Sequence, residues 1–338
     1  MKIDVHSHIF DQRYFDAMWR DFTLERSTTP QGQTLMRKNG YTYMWYRDNF
    51  FDIEHRLRVM DQQGIDMRVL SLSSPNVYDW PGTRQVEMAG LMNDATAAIV
   101  RSHPERFAGV GSLPLADVPA SLAEIDRIVG ALGLHGVMIG SNVAGVAVND
   151  ARFEPVWAKL DQLRLPVFEH PMFPPNLQQE EFELPLRVGF IFDTTMAAAR
   201  LIYSGVFERY PNFPYIMAHT GGALLMLLQR LDNGYRLFPD CRKHINRPPS
   251  EYAKRLYYDT ASFYPPALMM AHGIVGAERL LFGSDDPLIG DDTSVVDGLP
   301  LPVADKAKIL GGNAARIFRI KGQSNFPETN CAPAQELL

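Results

Sequence analysis

Eight short apolar segments recur along this chain, and the stretches between them are long enough to hold a helix. The segments have four to seven residues and are rich in Val, Ile, Leu, Phe or Tyr, which is typical of buried strands in a parallel sheet. They are Ile3–His6, Arg68–Leu72, Phe107–Leu113, His135–Ile139, Leu165–His170, Pro214–His219, Leu256–Thr260 and Arg279–Gly283. Eight strands that alternate with helices favour an α/β fold in which the strands close into a (β/α)8 TIM barrel.

The stretches between the segments carry helix signals. The helix expected over Asp52–Gln63 begins with an acidic first turn and ends before Gly64. The helix expected over Thr194–Arg209 is followed by Pro211, which is a common stop signal. The other predicted helices are Arg84–Ser102, Val118–Leu132, Phe153–Leu163, Ala223–Arg236, Pro266–Ile274 and Val303–Phe318.

One stretch near the start of the chain does not follow this alternation. Residues 14–51 are rich in aromatic side chains, and we interpret them as an insertion after strand one that forms a small β-element beside the barrel mouth. Residues 321–338 are polar and contain proline, so we expect a loose tail or an arm that packs on a partner. Residues 1–320 are therefore expected to form a single barrel domain, larger than the ~250 residues typical of this fold.

Charge and composition exclude several classes of function. The 33 Lys and Arg residues against 39 Asp and Glu residues give a net charge of −6, which argues against nucleic acid as a partner. No run of about 18 apolar residues could cross a membrane, and the N-terminus lacks the pattern of a signal peptide. The two cysteines, Cys241 and Cys331, cannot form a disulfide framework and fit a reducing compartment, so we expect a cytoplasmic protein.

His6 and His8 form the strongest local signal for chemistry, because they lie two residues apart where the first predicted strand ends. Side chains two apart on a strand share a face, so both imidazoles can point into the barrel mouth and meet one metal ion. The pair can equally be two solvated histidines near a terminus, since His-x-His alone is weak evidence for a metal site.

Other predicted strands also end in candidate ligands. His170 ends the fifth strand, His219 ends the sixth, and Asp285 follows the eighth. The carboxyl ends of barrel strands converge on one face, where active sites form, so these side chains are expected to lie close together. Imidazoles with one carboxylate suit one divalent metal ion, Zn²⁺ above all, with Mn²⁺, Co²⁺ or Fe²⁺ also compatible. Such a site, with an open position for water, is catalytic in type.

Longer motifs extend this pattern over nearly the whole chain. They are MKIDVHSHIF, RVMDQQGID, LPVFEHPM, SGVFERYPN, AHTGGALLMLLQRLDN, RPPSEYAKRLYYDTASF and LLFGSDDP. In these motifs the chain resembles the amidohydrolase superfamily, and it is closer to the decarboxylase branch, typified by 2-amino-3-carboxymuconate-6-semialdehyde decarboxylase. The resemblance implies a TIM barrel that uses one divalent metal ion and no organic cofactor.

The resemblance also implies roles for individual residues. The implied metal ligands are His6, His8, His170 and Asp285. His219 matches the catalytic acid/base histidine of the family, and the glycines Gly221 and Gly222 after it would let the backbone approach the substrate closely. The branch lacks the carboxylated-lysine bridge of binuclear amidohydrolases, and strand four ends here in Ile139-Gly140-Ser141, so a mononuclear site is implied.

Arg230, in the helix after strand six, is implied to act across a subunit boundary. In the resembled decarboxylase the matching arginine reaches the neighbouring subunit's site and holds a substrate carboxylate, which implies a homodimer here. A guanidinium binds a carboxylate bidentately, which favours Arg over Lys at such a position. Arg230 can also be a surface arginine that pairs with Asp232 or Asp240.

The chain departs from the resembled decarboxylase in the expected substrate pocket. Met44 aligns with the substrate arginine of that enzyme, and Arg47, three residues later, could replace it. Leu186 stands where a tryptophan is expected. The substrate is therefore expected to be a different small-molecule carboxylate, either an aromatic hydroxy-acid or a cyclic or dienoic acid, with Phe190 as a pocket residue.

Three functional hypotheses follow from these residues and from the resemblance. The first is a metal-dependent, non-oxidative decarboxylase, a carboxy-lyase in which His219 or Asp285 manages the proton that replaces CO2. The second is a metal-dependent hydrolase or hydratase that uses the same activated water on a C–C bond, lactone, amide or double bond. The third is a barrel that binds ligands without catalysis, which the presence of every expected ligand and of His219 disfavours.

Overall fold

The computed structural model describes residues 1–174, 181–290 and 292–320. The parallel strands within these residues span Ile3–His8, Met67–Ser71, Phe107–Gly109, Gly111–Ser112, Val137–Gly140, Val167–His170, Tyr215–Met217, Tyr257–Asp259 and Leu280–Leu281. Phe107–Gly109 and Gly111–Ser112 are two parts of one strand, separated by Val110. All eight predicted strands are therefore present, while the predicted tail over residues 321–338 lies outside the described residues.

Backbone hydrogen bonds join these strands side by side in chain order, and every pair is parallel. At the interruption of the third strand, the Val110 N–H donates to the Leu70 carbonyl oxygen at 2.9 Å, so the sheet continues past it. The Val5 N–H donates to the Phe282 carbonyl oxygen at 2.9 Å, which joins the last strand to the first. The predicted α/β fold is confirmed, and these hydrogen bonds close its strands into a ring.

Helices lie between successive strands along the chain. The α-helices span Gln12–Asp21, Ile53–Gln63, Gly82–Ser102, Val118–Val129, Glu154–Leu163, Phe190–Tyr203, Val206–Arg209, Leu224–Leu237, Pro249–Ala253, Pro265–Val275, Ser294–Asp297, Val303–Ala307 and Asn313–Ile317. The helix expected over Thr194–Arg209 is interrupted, because Gly205 adopts a left-handed φ of 76°. The helix expected over Val303–Phe318 contains a wider π-helical turn at Lys308–Gly312. In both cases the helix is interrupted locally. The first still lies between the fifth and sixth strands, and the second still follows the eighth.

Shorter helical turns mark several loops. The 3₁₀ turns are Asp48–Phe51, Val77–Asp79, Ala151–Phe153, Glu181–Glu183, His219–Gly221, Pro239–Arg242 and Ala277–Arg279, and a second π-helical turn is Pro185–Gly189. The turn at His219–Gly221 follows directly after the sixth strand. It therefore lies at the strand end where the sequence predicts part of the functional site.

The early aromatic stretch contains a helix followed by a three-stranded antiparallel sheet. The strands are Glu25–Thr28, Thr34–Lys38 and Tyr41–Tyr46. The helix Gln12–Asp21 is capped by Asp11, whose carboxylate accepts a hydrogen bond from the Arg13 N–H at 2.8 Å. Tyr41 packs on Phe173, with ring centroids 4.9 Å apart, so this sheet lies against the loop after strand five. A second, two-stranded antiparallel pair, Asn142–Val143 with Val146–Ala147, follows strand four.

An apolar cluster from the parallel strands reaches the predicted site. It includes Ile3, Val69, Met138, Phe168, Ile216 and Leu281, all of them buried. The ring of Phe168 lies 5.1 Å from the ring of His6, so apolar packing supports the histidines directly. Within the described ranges, no helix combines the length and the apolar character that a membrane crossing requires.

Candidate metal centre

Three buried histidine rings meet at the ends of the first and fifth strands. His6 and His8 come from strand Ile3–His8, and His170 is the last residue of Val167–His170. The ring centroids of His6 and His8 lie 4.9 Å apart, and those of His8 and His170 lie 4.8 Å apart. The strand pairing shifts by one residue between Asp4 and Ser7, which is a β-bulge that re-aims the side chains in this stretch.

Each of the three imidazoles is held through its Nδ1 atom. Nδ1 of His6 lies 2.6 Å from Oδ2 of Asp259, and Nδ1 of His8 lies 3.3 Å from Oγ of Ser71. Nδ1 of His170 lies 3.0 Å from the carbonyl oxygen of the next residue, Pro171. These contacts favour the tautomer with hydrogen on Nδ1, so each Nε2 keeps a lone pair free for a metal.

Asp285 brings a carboxylate against these nitrogens. Its Oδ1 atom lies 3.3 Å from Nε2 of His8 and 3.5 Å from Nε2 of His6. This oxygen is buried and has no hydrogen-bond partner among the described residues. The backbone of Asp285 has a φ of 54°, a left-handed conformation that is rare for residues other than glycine. The surrounding structure therefore holds Asp285 in an unfavourable conformation that aims its carboxylate at the histidines.

His219 lies on the other side of the same carboxylate. Its Nε2 atom is 3.8 Å from Oδ2 of Asp285, and its ring centroid is 5.0 Å from that of His6. The side chain of His219 is 15% exposed, whereas the side chains of His6 and His8 are fully buried. Of the imidazoles at this site, His219 is therefore better placed than His6 or His8 to meet a substrate.

The pKa shifts of His8, His170 and Asp285 favour the protonation states that metal ligands require, whereas the pKa of His6 shifts in the opposite direction. Burial lowers the pKa of His8 to about 4, and burial with the neighbouring imidazoles also lowers the pKa of His170. Burial lowers the pKa of His6 as well, but Asp285 and Asp259 together outweigh burial and leave it raised. Burial would raise the pKa of Asp285, yet the histidines around it, His6 foremost, hold that pKa well below its ordinary value. The carboxylate is therefore ionised at neutral pH.

The side chains fit one divalent metal ion. Two groups offer ligand atoms within 4.8 Å of one another, namely His6 with His8 and His170, and His6 with His219 and Asp285. Nε2 of His6 and Nε2 of His8 lie only 3.1 Å apart, so two lone pairs would face each other without a cation or proton between them. A cation would also satisfy the unpartnered Oδ1 of Asp285. Imidazole and carboxylate donors are those that Zn²⁺, Mn²⁺, Co²⁺ and Fe²⁺ bind.

Asp259 links three parts of the site. In addition to His6 Nδ1, its carboxylate accepts hydrogen bonds from the Thr220 and Ala261 N–H groups, both at 3.0 Å. Thr220 follows His219, and both residues have left-handed φ angles, 57° and 53°. One buried carboxylate therefore fixes a candidate metal ligand, His6, and the strained turn that carries His219.

The two glycines after His219 are required by close packing. Gly221 and Gly222 have φ angles of 76° and 61°. A Cβ atom on Gly222 would lie 2.4 Å from the Ile191 carbonyl oxygen, and one on Gly221 would lie 2.6 Å from the Tyr258 ring. These positions exclude any larger side chain, which gives the His-x-Gly-Gly motif a structural reason besides the approach of substrate.

The structure separates the expected substrate residues from one another. The Phe190 ring lies 6.3 Å from the His170 ring and 5.1 Å from the Phe173 ring, close to the candidate ligands. Arg47 lies in a cavity of about 180 Å³, and none of the described residues that line this cavity is a candidate metal ligand. Arg230 is exposed on helix Leu224–Leu237. Phe190 is therefore the predicted substrate residue whose contact with the site is clearest.

The two positions that depart from the resembled decarboxylase lie in different surroundings. Met44 is buried in the third strand of the antiparallel sheet, Tyr41–Tyr46. Leu186 is half-buried in the π-helical turn Pro185–Gly189, which leads into the helix that begins at Phe190.

Sequence reasoning missed a group of charged residues beside the site. Arg56 and Arg68 are buried, and both lie 2.8 Å from Oδ2 of Asp286. Arg68 also lies 3.3 Å from Oδ2 of Asp4. A signal was present in the sequence, because Asp4 and Arg68 are charged residues inside predicted buried strands, where unpaired charges are rare.

Comparisons with known proteins agree with this geometry. A family described as Amidohydrolase matches residues 3–320. The chain is 27% identical to the 2-amino-3-carboxymuconate-6-semialdehyde decarboxylase of Dictyostelium discoideum, over 94% of this chain and 91% of that protein. It is 30% identical to the 6-methylsalicylic acid decarboxylase of Penicillium expansum, over 95% of this chain and 97% of that protein.

A solved structure shows the same fold. The dihydroxybenzoic acid decarboxylase from Polaromonas sp. JS666, with bound manganese and the inhibitor 2-nitroresorcinol, superposes with a TM-score of 0.77 at 25% identity. The match covers 96% of this chain and 99% of that one. The chain therefore belongs to the amidohydrolase family, within its branch of metal-dependent decarboxylases.

Proposed function

We propose that this chain is a metal-dependent, non-oxidative decarboxylase of an aromatic hydroxy-acid or a cyclic or dienoic carboxylate. The observation that carries the proposal is the meeting of His6, His8, His170 and Asp285 in one buried cluster, with His219 beside it. The two curated relatives described above are both decarboxylases by name, and the Polaromonas structure is that of a dihydroxybenzoic acid decarboxylase.

The proposed ligands are His6, His8, His170 and Asp285. When bound there, a divalent ion would supply positive charge that orients the substrate carboxylate and stabilises the negative charge that develops on the substrate. Three nitrogen donors and one oxygen donor suit Zn²⁺, which we place first. Manganese in the Polaromonas structure makes Mn²⁺ the main alternative. Metal analysis of the purified protein, followed by reconstitution with each ion, tests this choice.

The protein's own side chains manage the proton. His219 donates a proton to the carbon that carries the carboxylate, and the ionised Asp285, 3.8 Å away, stabilises the protonated imidazole. As the carbon–carbon bond breaks, its electron pair returns to the ring and the carboxylate leaves as CO2. The proton taken up at carbon replaces the carboxylate, so no oxidant and no organic cofactor is required.

The aromatic side chains at the mouth suit a planar substrate. Phe190 and Phe173 pack edge to face, at 5.1 Å between ring centroids and 68° between planes, beside His170. Such rings offer an apolar wall to an aromatic acid and keep water from the reacting carbon. In the proposal Arg47 approaches a polar group of the substrate from its cavity, which lies between the insertion and Asp286 and Pro287.

We also propose that the protein is a homodimer in which Arg230 reaches the neighbouring site. Arg230 is exposed and forms no ion pair or hydrogen bond with any other described residue. Large apolar side chains are exposed on the helix that carries Arg230, with Met226 at 74%, and on helix Phe190–Tyr203, with Phe192 at 57% and Met196 at 48%. A second copy that covers this surface would bury these side chains and give Arg230 a substrate carboxylate as its partner.

The expected partner is thus a small-molecule carboxylate. The net charge of −6 argues against nucleic acid, and no membrane partner is proposed. The cytoplasm is the proposed compartment, because two cysteines suit a reducing environment.

Product analysis on a panel of hydroxybenzoates and dienoic acids tests the proposed reaction. Substrates labelled with ¹³C in the carboxyl group should release labelled CO2 and leave a product with one hydrogen in its place. In H₂¹⁸O, a hydrolase or hydratase would instead place ¹⁸O in the product and release no CO2. His219→Ala serves as the inactive control, and labelled oxygen in the product would overturn the decarboxylase proposal.

A further inference from the structure

Four charged side chains form a buried ion cluster behind the metal centre. Asp4, Arg56, Arg68 and Asp286 are each no more than 7% exposed. Nη1 of Arg56 and Nη1 of Arg68 both lie 2.8 Å from Oδ2 of Asp286, and Nε of Arg68 lies 3.3 Å from Oδ2 of Asp4. Two positive and two negative charges therefore balance in a largely buried place.

The buried ion cluster is bonded to the strand that carries His6 and His8. Oδ1 of Asp4 accepts a hydrogen bond from the His6 N–H at 3.1 Å. The Arg56 guanidinium donates to Oγ of Ser7 at 2.9 Å and to the carbonyl oxygen of His8 at 2.7 Å. The backbone of each of these two candidate ligands is thus held directly by a member of the cluster.

The same cluster holds the chain on both sides of Asp285. On one side, Oδ1 of Asp4 accepts the Ser284 N–H at 3.0 Å, and the Ser284 hydroxyl donates to Oδ2 of Asp4 at 2.5 Å. On the other side, the Asp286 carboxylate is fixed by the two arginines, and its carbonyl oxygen accepts the His8 N–H at 2.6 Å. Asp285, with its left-handed φ of 54°, lies between these two anchored residues.

We propose that Arg56 and Asp286 are positioning residues, which set the separation between His8 and Asp285 and keep Asp285 in its left-handed conformation. Neither residue belongs to the two groups of candidate ligand atoms. Arg56 instead contacts Asp286 and the carbonyl oxygen of His8. A local conformation of this kind persists only where the surroundings over-determine it, and the cluster supplies that restraint. The inference rests on the proposed metal site and assigns the second aspartate of the Ser284-Asp285-Asp286 run a role of its own.

Substitution of Arg56 tests the proposal more cleanly than substitution of Asp286, since loss of Asp286 would leave the buried Arg56 without an ion-pair partner and Arg68 with Asp4 alone. Arg56→Met removes the guanidinium that joins the His8 carbonyl oxygen to the Asp286 carboxylate. It leaves Asp286 paired with Arg68. Arg56→Lys keeps the charge but cannot bind several acceptors in one plane. Arg106→Met is the matched control, because Arg106 also makes one ion pair, with Asp61, and donates to two backbone carbonyl oxygens.

The measurements are the dissociation constant for Zn²⁺, by competition with a chelator, and the visible spectrum of the Co²⁺-loaded protein. We expect about 10–100-fold weaker Zn²⁺ binding and an altered Co²⁺ spectrum for Arg56→Met, with Arg56→Lys in between. Arg106→Met should match wild type in both readouts. If Arg56→Met does not fold, Arg56→Lys carries the same measurements, and a wild-type affinity and spectrum in that variant overturns the proposal.

Two different outcomes distinguish a failure of the positioning role from a failure of the proposed metal site. A wild-type protein that binds neither Zn²⁺ nor Co²⁺ refutes the metal site and the inference with it. A wild-type protein that binds one ion, with both Arg56 variants indistinguishable from it in affinity and spectrum, refutes the positioning role and leaves the metal site standing.

Discussion

His6 and Asp259 are joined by a short contact, 2.6 Å from Nδ1 to Oδ2, and neither side chain is exposed to solvent. The contact connects the first strand of the barrel to the seventh. A carboxylate that accepts from Nδ1–H fixes the tautomer and the orientation of the imidazole, and it raises the basicity of Nε2 toward a metal. The position of the proposed metal ion is therefore set by residues that do not bind it.

Asp259→Asn should weaken metal binding without unfolding the protein. The amide keeps the shape of the side chain but removes the negative charge, so we expect a dissociation constant for Zn²⁺ about 10–100-fold higher. Chelator competition measures it. Asp232→Asn is a suitable control. Asp232 also accepts a backbone hydrogen bond, from the Ser250 N–H at 2.9 Å, but it lies far along the chain from the proposed metal ligands. Equal affinities in both variants would contradict the role given to Asp259.

Two histidine substitutions should separate metal binding from proton transfer. His170→Ala removes a proposed ligand and should lose the metal. His219→Ala should keep one ion per chain and lose turnover by at least about 100-fold, because the proton donor is absent. Metal content by mass spectrometry and initial rates of CO2 release measure the two effects. Equal metal content in the two variants would overturn the assignment of roles.

The strand pattern and the strand-end residues could be predicted because they obey local rules. Each parallel strand is a short apolar run, and a barrel brings the ends of such runs to one face, so His170 and Asp285 could be expected near His6. The β-bulge between Asp4 and Ser7 could not be predicted, because it depends on the register with the next strand. The left-handed backbone at Asp285 is likewise fixed by contacts that no local pattern encodes.

The buried charges could not be derived from the sequence for a different reason. Asp4 and Ser284 are 280 residues apart. Arg56 lies in a helix that is predicted from its acidic first turn and from Gly64 at its end, and neither signal shows which of its side chains are buried. A charged residue in a buried segment signals that a partner exists but not which residue it is. The same limit applies to Arg47, whose cavity is formed partly by Asp286 and Pro287 from the other end of the chain.

Gly222→Ala should destabilise the protein and disturb the turn that carries His219. The Cβ atom would lie 2.4 Å from the Ile191 carbonyl oxygen, and the φ of 61° is unfavourable for alanine. We expect a loss of more than about 1 kcal/mol in the free energy of unfolding. Gly273→Ala is the matched control, since nothing lies within 4 Å of its Cβ position in helix Pro265–Val275. That variant should be as stable as wild type or more so by urea denaturation.

Glu169 should make the protein less stable as the pH rises. Burial raises the pKa of this carboxyl from 4.5 to about 8, with Asp193 and Asp259 adding to the effect and the Thr194 hydroxyl opposing it. The folded protein therefore holds a proton that the unfolded chain releases between these values. The contribution of Glu169 to the free energy of unfolding is fully present below about pH 4.5. It falls by about 1.4 kcal/mol per pH unit as the pH rises toward 8.

Glu169→Gln keeps a neutral side chain at every pH and should remove this slope. Urea denaturation of both proteins between pH 5.5 and about 7.5 measures the difference in their free energies of unfolding at each pH. The titrating groups that both proteins share cancel in this difference. The exposed Glu105→Gln serves as the control and should follow wild type. Parallel pH curves for wild type and Glu169→Gln would show that Glu169 is ionised in the folded protein.

Arg230 provides a test of whether two subunits share a site. If it binds the substrate carboxylate, Arg230→Met should reduce kcat/KM by about 10–100-fold, as expected for the loss of a hydrogen bond to a charged group. The metal content should not change, because Arg230 lies on the outer helix Leu224–Leu237 and makes no contact with the ligands. This result alone would not show in which subunit the arginine acts.

A mixed dimer of Arg230→Met and His219→Ala chains, carrying different affinity tags and purified through both, distinguishes the two cases. If Arg230 acts in its partner's site, one site combines an intact His219 with an intact Arg230, and about half of the wild-type activity returns. If Arg230 acts in its own chain, each site contains one defect and the mixed dimer stays as inactive as its parents. Failure to recover any doubly tagged dimer would refute the proposed homodimer itself.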